Sequence, residues 1–180
     1  SLQAGKIQNP EFTLIHELDH ARRYQDLLRL ENDRRSLAFS GFFGGMSKQE
    51  FVEEGLKAEF SAQTAAFQAF IEARVETGEL ALPAGVEAEE AARRAASSGE
   101  IGPGGEFFIR TEDGGYESAE LSEVIGDPGR DTGSLPTALQ QEYEAGFIED
   151  YNKIRRKYVD LTESERREAD RLASKVRTRE

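Results

Sequence analysis

The sequence predicts a mainly α-helical fold of the α+β class, with one small β-hairpin. Long stretches place apolar side chains three and four residues apart, which is the spacing of one helix face. Two capping boxes, Ser47–Glu50 and Thr162–Glu165, mark the starts of helices. The turn residues Asp113–Gly115 separate two short β-prone runs and predict the hairpin. With 180 residues there is room for a real core, so a single domain over residues 1–180 is expected.

The first helix is predicted to begin at Asn9–Pro10, with Asn as the N-cap and Pro at the first helical position. Its apolar face continues towards Leu30 and includes the segment His16–His20. This segment has the pattern H-E-x-x-H and contains the only two histidines of the chain. Because residues four apart lie on one face of a helix, both imidazoles can bind a single metal ion.

The residues between the two histidines have separate predicted roles. Glu17 projects a fraction of a turn from His16, close enough to act as general base on a water that the metal activates. Asp19 is too close in sequence to be a ligand beside both histidines, so it is predicted to face solvent or to support a neighbouring side chain. The alternative for the whole motif is a surface pair of histidines that binds nothing.

Zinc needs at least a third protein ligand, and without further histidine or any cysteine this ligand must be a carboxylate. A second helix is predicted from Ser47 to about Glu76, and Glu59 lies in the middle of its inward stripe. An unpaired buried carboxylate is unfavourable, so Glu59 is predicted to bind a cation as the third ligand. Glu53 is the reserve ligand, and pairing of Glu59 with an arginine is the alternative. The stripe comprises Val52, Leu56, Glu59, Gln63, Ala66 and Phe70.

The other segments predict architecture more than chemistry. Residues 37–46 predict a glycine-flanked loop whose three phenylalanines either plug the core or line and gate a substrate pocket. Residues 86–98 predict a solvated, alanine-rich helix, and residues 99–105 break it. The hairpin is predicted from residues 106–111 and 116–118, and its edge either binds an extended peptide by strand addition or has no role in binding.

The C-terminal half is predicted to end in two helices. Residues 123–136 predict a turn-rich loop, followed by a long helix over residues 137–161 with an aromatic stripe. A last, highly charged helix to about Arg177 is expected to be solvated or to contact another part of a parent protein. Since the chain has no further histidine, a tyrosine or an arginine must stabilise the oxyanion, and Tyr151 and Tyr158 are the candidates.

Composition excludes several classes of function. The net charge of −12 argues against binding nucleic acid through its phosphates. The absence of cysteine excludes disulfides and thiolate zinc ligands. No signal peptide is visible, and the longest apolar stretch, Ala38–Met46, is too short to span a bilayer. The chain begins at Ser1 without methionine, so a domain excised from a larger chain is expected.

The motif region resembles known metallopeptidases. The segment Leu14–Arg22, with the sequence Leu-Ile-His-Glu-Leu-Asp-His-Ala-Arg, resembles small metallopeptidase toxin domains of bacterial secretion systems, including the C-terminal domain of a type VI spike effector. The later segment Glu59–Ala62 resembles the gluzincin branch of zinc metallopeptidases, in which a glutamate on a second helix is the third ligand. Metzincins differ, because they carry a third histidine and a glycine at fixed offsets. The resemblance covers about residues 10–75.

The resemblance implies a zincin-like helical core, in which the motif helix packs on a second ligand-bearing helix. It implies zinc held by His16, His20 and Glu59, with Glu17 as the base. It also implies a secreted protein or one delivered into a target cell, with a protein or peptide substrate and, as further partners, a parent secretion protein or a cognate immunity protein. One departure is that zincins carry a sheet upstream of the motif helix, whereas only fifteen residues precede His16 here.

These predictions combine into a zinc-dependent hydrolase, with a metallopeptidase as the leading hypothesis. Activated water attacks a peptide carbonyl, and Glu17 takes the proton and passes it to the leaving amine. One alternative is a non-enzymatic interaction module with a structural metal or none, in which a further carboxylate such as Glu53 closes the site. Another alternative is a zinc hydrolase that acts on something other than a peptide.

Overall fold

The computed structural model describes residues 9–177, so the start of the chain at Ser1 lies outside the described residues. Within that range the chain forms eight α-helices and one three-stranded antiparallel sheet, which confirms the predicted class. The helices are α1 (Pro10–Arg23), α2 (Gln25–Leu28), α3 (Asn32–Gly44), α4 (Lys48–Glu76), α5 (Ala88–Ala96), α6 (Leu121–Ile125), α7 (Thr137–Asp160) and α8 (Glu163–Arg177). The strands are β1 (Gly99–Ile101), β2 (Phe107–Arg110) and β3 (Tyr116–Ala119). None of the helices in this range combines the length and hydrophobicity needed to cross a membrane.

Helix α1 begins where the sequence predicts. Asn9 Oδ1 accepts hydrogen bonds from the backbone N–H groups of Glu11 (3.0 Å) and Phe12 (3.2 Å), which satisfies two donors of the first turn. The predicted apolar face is interrupted, because Tyr24 leaves the helical conformation with φ −108° and ψ 20°. The chain therefore enters a separate short helix, α2, after α1 has ended at Arg23.

Helix α4 has the predicted start and the predicted end. The Ser47 hydroxyl accepts from the Glu50 backbone N–H at 3.1 Å, and the Glu50 carboxylate accepts from the Ser47 N–H at 2.7 Å, as in a capping box. The helix ends at Glu76. Its predicted inward stripe has three buried residues, Val52, Gln63 and Ala66. The other three residues of the stripe, Leu56, Glu59 and Phe70, are partly buried.

The chain divides into two compact units. Within the described range, one unit comprises residues 9–20 and 56–142, and the other comprises residues 21–55 and 143–177. The single domain over residues 1–180 stays a prediction.

In the first unit, aromatic rings join three elements. The Phe67 ring of α4 meets the Phe12 ring of α1 edge-on at 4.9 Å and the Phe107 ring of β2 at 5.9 Å. All three side chains are buried. This packing fixes α1 on α4 and thereby places His16, one turn after Phe12, opposite Gln63, one turn before Phe67.

Helix α5 corrects the prediction of a solvated surface helix. Four of its alanines are fully buried, and it packs on α6 and β1. Its buried guanidinium group, Arg94, donates to the backbone carbonyl of Ile125 at 2.6 Å and pairs with Glu90. Alanine side chains leave room for a close approach of neighbouring elements, so an alanine-rich helix suits a crowded position as well as a solvated one. The four alanines are Ala91, Ala92, Ala95 and Ala96.

The predicted hairpin is present as β2–β3, and a third strand precedes it. The turn is built by hydrogen bonds from Gly114 N–H to Thr111 C=O and from Thr111 N–H to Gly115 C=O, both at 3.0 Å. Gly114 has φ +86°, which makes this a three-residue loop with a glycine in the left-handed region. The segment predicted only as a break, residues 99–105, contains β1 and a second turn of the same kind, with Gly105 at φ +83°.

The second unit has an aromatic core around α3. Residues 37–46, predicted as a loop, lie mostly within α3, and Phe42 and Phe43 are buried there. The core-plug alternative is therefore confirmed for Phe42 and Phe43, and Phe39 is partly buried against the same core. The charged helix α8 is not simply solvated, because one of its faces is buried against α3. The rest of this core includes Leu27, Ala38, Phe51, Leu172 and Ala173.

Replacing Gly41 by alanine is expected to destabilise the protein. A methyl group on this α3 residue would lie 2.3 Å from the Ala169 carbonyl oxygen of α8, so the two helices must separate. Overpacking of this kind costs about 1–3 kcal/mol of unfolding free energy, and thermal denaturation should show a Tm lower by about 2–12 °C. The matched control is Gly146→Ala on α7, where nothing lies within 4 Å and the stability should rise slightly. An unchanged Tm for Gly41→Ala would contradict the close approach of α3 and α8.

Candidate metal centre

Helices α1 and α4 bring three of the predicted ligands together. His16 and His20 lie one turn apart on α1, and Glu59 faces them from α4. The Glu59 carboxylate oxygens lie 3.0 Å from His16 Nε2 and 3.1 Å from His20 Nε2. The two Nε2 atoms lie 3.1 Å from each other. Three potential ligand atoms therefore converge on one small volume.

The second ring nitrogen of His16 is held by Gln63. His16 Nδ1 lies 3.2 Å from Gln63 Oε1, and both side chains are buried. Because a carbonyl oxygen can only accept, this contact requires a proton on Nδ1, and in the neutral ring Nε2 then carries the lone pair. A metal-binding histidine is commonly oriented in this way through its other nitrogen.

The resulting arrangement is incomplete without a cation. With its proton on Nδ1, His16 presents a lone pair to the carboxylate of Glu59, and two acceptors at 3.0 Å repel each other. Accordingly, Glu59 Oε2 is buried and accepts no well-directed hydrogen bond. A proton on His20 Nε2 can be donated either to Glu59 or to His16 Nε2, but not to both. A metal ion at the centre would satisfy all three groups.

The donor set and its spacing suit zinc. Two imidazole nitrogens and one carboxylate oxygen are among the ligands that catalytic zinc sites use. Zinc–ligand bonds of about 2.0–2.1 Å in a tetrahedron place the ligand atoms about 3.3 Å apart. The observed separations of 3.0–3.1 Å lie close to that value. Small rotations of the three side chains are enough to reach it.

The electrostatics of the site also favour a cation. Burial raises the pKa of Glu59, but its contacts with the imidazoles of His16 and His20 outweigh burial and lower this pKa to about 2. The hydrogen bond to Glu59 raises the pKa of His20, and the negative charges of Glu17 and Asp19 act in the same direction. The negative charges around the imidazole of His20 therefore favour a positive charge at this site.

The site is partly open. The side chains of His16, His20 and Glu59 are 11%, 22% and 14% exposed, which leaves them accessible from one side. Glu17 is exposed and makes no hydrogen bond or ion pair to residues 9–177. Its charge nevertheless acts on His20, so it lies within electrostatic reach of the histidines.

The prediction that Asp19 faces solvent is wrong. Asp19 is 7% exposed and accepts a hydrogen bond from the Ser61 hydroxyl of α4 at 2.9 Å. Its position on α1 places it on the buried face with Phe12 and His16. The alternative, a supporting contact next to the ligands, agrees with this geometry.

The alternatives for the carboxylates can also be compared with the structure. Within the described residues, Glu59 has both histidines as partners and no arginine. The reserve ligand Glu53 is exposed and accepts a hydrogen bond from Gln49 at 2.9 Å. Histidine, aspartate and glutamate side chains of residues 9–177 form one cluster with metal-ligand spacing, and it has three members and leaves out Glu53. A closed site with four such ligands is not formed there.

The two tyrosines proposed as oxyanion donors are engaged elsewhere. The Tyr151 hydroxyl donates to the Met46 carbonyl at 3.0 Å, and the Tyr158 hydroxyl donates to Asp170 at 2.8 Å. Their role as oxyanion donors stays a prediction.

Two contributors to the site had no assigned role in the sequence. Gln63 lies on the predicted inward stripe of α4 but has no predicted role, and the sequence predicts no role for Ser61. The signal that could have found Gln63 is its spacing, because a residue four after Glu59 lies one turn along the same face. No local pattern marks Ser61 as the partner of Asp19, since their contact joins two helices.

Replacing Gln63 by leucine is expected to weaken zinc binding without removing a ligand. The change keeps a buried side chain of similar size but removes the acceptor for His16 Nδ1. Loss of such an orienting partner costs about 10–100-fold in metal affinity. Competition with a chromophoric chelator measures the affinity, and Gln68→Leu on the same helix is the control because Gln68 bonds only to Glu72. Equal affinity for Gln63→Leu and wild type would contradict the orienting role.

Comparisons with protein-family models, with curated proteins and with solved structures found no match to this chain.

Proposed function

We propose that this chain is a zinc-dependent hydrolase, with a peptide as its substrate. The observation that carries the proposal is the convergence of His16 Nε2, His20 Nε2 and Glu59 on one point, with a buried carboxylate oxygen that has no directed hydrogen bond. The reading as a peptidase rests on the H-E-x-x-H pattern and on the resemblance to gluzincins.

The roles of the residues follow from their positions. His16, His20 and Glu59 would hold the metal, and Gln63 keeps the His16 ring in the orientation that directs Nε2 to it. A zinc ion bound there would supply Lewis acidity, which would lower the pKa of water towards neutrality and polarise a carbonyl group. Glu17, exposed beside the histidines, accepts the proton of the attacking water and returns it to the leaving amine.

Three features support catalysis over a purely structural metal. The cluster has three protein ligands, which leaves a coordination position for water and substrate. All three ligand side chains keep some exposure, so a substrate can approach. Glu17 forms no hydrogen bond or ion pair with the described residues, so its carboxylate is available as a base.

The biological setting is proposed from the resemblance alone. On that basis the chain is an effector or toxin domain that is secreted or delivered into a target cell. Its partners would be a protein substrate, the rest of a parent secretion protein, and a cognate immunity protein. The net charge of −12 agrees with cationic partners and disfavours nucleic acid.

The direct test is hydrolysis by the zinc-loaded protein. The chain is incubated with a diverse pool of peptides, and new termini are identified by mass spectrometry, with chelator-treated protein as the blank. Zinc-dependent cleavage supports the proposal. Stoichiometric zinc without cleavage of any peptide would move the proposal to a hydrolase of another substrate class or to a structural metal in an interaction module.

A further inference from the structure

The outer edge of β3 presents unpaired backbone groups. Strand order is β1–β2–β3, so β3 has a neighbour on one side only. The Thr111–Gly115 pair at the turn is hydrogen-bonded, and bonded pairs alternate along an antiparallel ladder. The register then makes Ile109–Glu117 the next bonded pair. Tyr116 and Ser118 therefore direct their N–H and C=O groups away from β2.

The hairpin formed by β1 and β2 gives an independent check of this alternation. Gly102 N–H donates to Glu106 C=O at 2.8 Å, and Arg110 N–H donates to Ser98 C=O at 3.0 Å. These bonds direct the backbone groups of Phe108 and Arg110 towards β1. Ile109, which lies between these two residues on β2, must then direct its backbone groups towards β3. The β2–β3 hairpin requires the same.

Nothing in the described part of the chain pairs with this edge through backbone hydrogen bonds. The backbone groups of Tyr116 and Ser118 have no hydrogen-bond partner among residues 9–177. Glu117 and Ser118 are exposed, and Tyr116 and Ala119 are half-buried. The unpaired groups are therefore available to an added strand.

A cavity adjoins the C-terminal end of the edge. Its volume is about 330 Å³, and Ser118 and Ala119 of β3 form part of its wall. The apolar part of the lining comes from Phe70, Leu80, Phe107, Ala119 and Leu121. A strand laid along β3 would pass this cavity, which has room for an apolar side chain of the added strand.

The charge around the edge selects the partner. Glu106, Glu117 and Glu120 lie at the cavity or on β3 and form no ion pair with residues 9–177. The nearby cations are already engaged: Arg74 lies 3.6 Å over the Phe70 ring and 3.7 Å from Glu79, and Arg110 is buried with Glu100 and Glu142. The surface is therefore complementary to a basic segment.

We propose that the outer edge of β3 binds an extended, basic peptide segment of a partner protein by strand addition, with an apolar side chain of that segment in the adjoining cavity. A second copy of this chain is disfavoured as the occupant. Antiparallel pairing of two β3 edges would bring Glu117 close to its own counterpart, and like charges across strands are unfavourable. The proposal does not depend on the metal centre.

The first test is amide hydrogen exchange of the full chain, followed by NMR. In the free protein, the Tyr116 and Ser118 amides should exchange much faster than the Glu117 amide, which bonds to β2. The probe is acetyl-Lys-Thr-Lys-Thr-Leu-Thr-Lys-Thr-Lys-amide, which alternates basic and polar faces around a central leucine. Its addition should protect Tyr116 and Ser118 at least tenfold. Protection that rises with protein concentration alone would instead identify a second copy, and no protection by the peptide would overturn the proposal.

The second test is the register of the peptide. N-methylation of the peptide at odd or at even residues removes N–H groups from opposite edges of the added strand, so one isomer should bind at least tenfold more weakly than the other.

Ser118→Pro should weaken binding of the unmodified peptide by about tenfold, while Ser118→Ala, which keeps the N–H, should not. The same peptide with glutamate in place of lysine should not bind. Equal binding of both N-methyl isomers would overturn strand addition.

Discussion

Replacing Glu59 by alanine is expected to abolish high-affinity zinc binding. The carboxylate is the member of the three-ligand cluster that neutralises charge, and it contacts both histidines. Removing an orienting partner costs about 10–100-fold in affinity, so losing a ligand should cost more than about 100-fold. Elemental mass analysis of protein purified without metal-affinity resin measures the effect. The wild type should carry about one zinc ion per chain, and Glu59→Ala far less.

The matched control is Glu53→Ala. Glu53 is the same residue type on the same helix, but it is exposed and bonds to Gln49. This variant should keep the wild-type zinc content. A Glu59→Ala protein that retains zinc would refute the three-ligand site. Absence of zinc in the wild type after repletion would leave His16 and His20 as a coincidence on a helix, and the interaction module would replace the hydrolase.

The fold of Glu59→Ala has to be compared with that of the wild type, because the change also removes the partner that raises the pKa of His20. Loss of zinc through unfolding would appear as loss of helical circular dichroism. The Phe12–Phe67 contact that joins α1 and α4 does not involve Glu59. The helical signal should therefore persist while zinc is lost.

The parts of the fold that the sequence predicted are those set by local interactions. The start of α1 at Asn9 and the start of α4 at Ser47 depend on caps within three residues of each other. Glu59 was recognisable because a carboxylate in an apolar stripe needs a partner. Its position opposite both histidines agrees with that reasoning.

The parts that the sequence did not predict depend on contacts between distant segments. Asp19 was expected to be able to face solvent, but it is buried because Ser61 of another helix provides its hydrogen bond. Strand β1 has three residues, too few for a recognisable alternation, and it forms because β2 pairs with it. Helix α5 has an alanine face that suits solvent or a close neighbour equally, so only packing decides.

Replacing Glu17 by alanine is expected to leave zinc in place and to abolish hydrolysis. Glu17 is not in the ligand cluster, and its side chain is exposed, so the metal content should equal that of the wild type. Loss of a general base lowers the rate of the chemical step by about 10²–10⁴-fold. The readouts are zinc per chain and kcat/KM on a peptide that the wild type cleaves.

Three further variants separate the role of Glu17 from other effects. Glu17→Gln keeps the size of the side chain but not its basicity, so it should be as inactive as Glu17→Ala if proton transfer is what is lost. Glu11→Ala removes an exposed glutamate from the same helix and should keep both zinc and activity. His16→Ala should lose both, because it removes a ligand. Retained hydrolysis in Glu17→Ala, with zinc bound, would show that another group takes the proton, and the catalytic role assigned to Glu17 would be wrong.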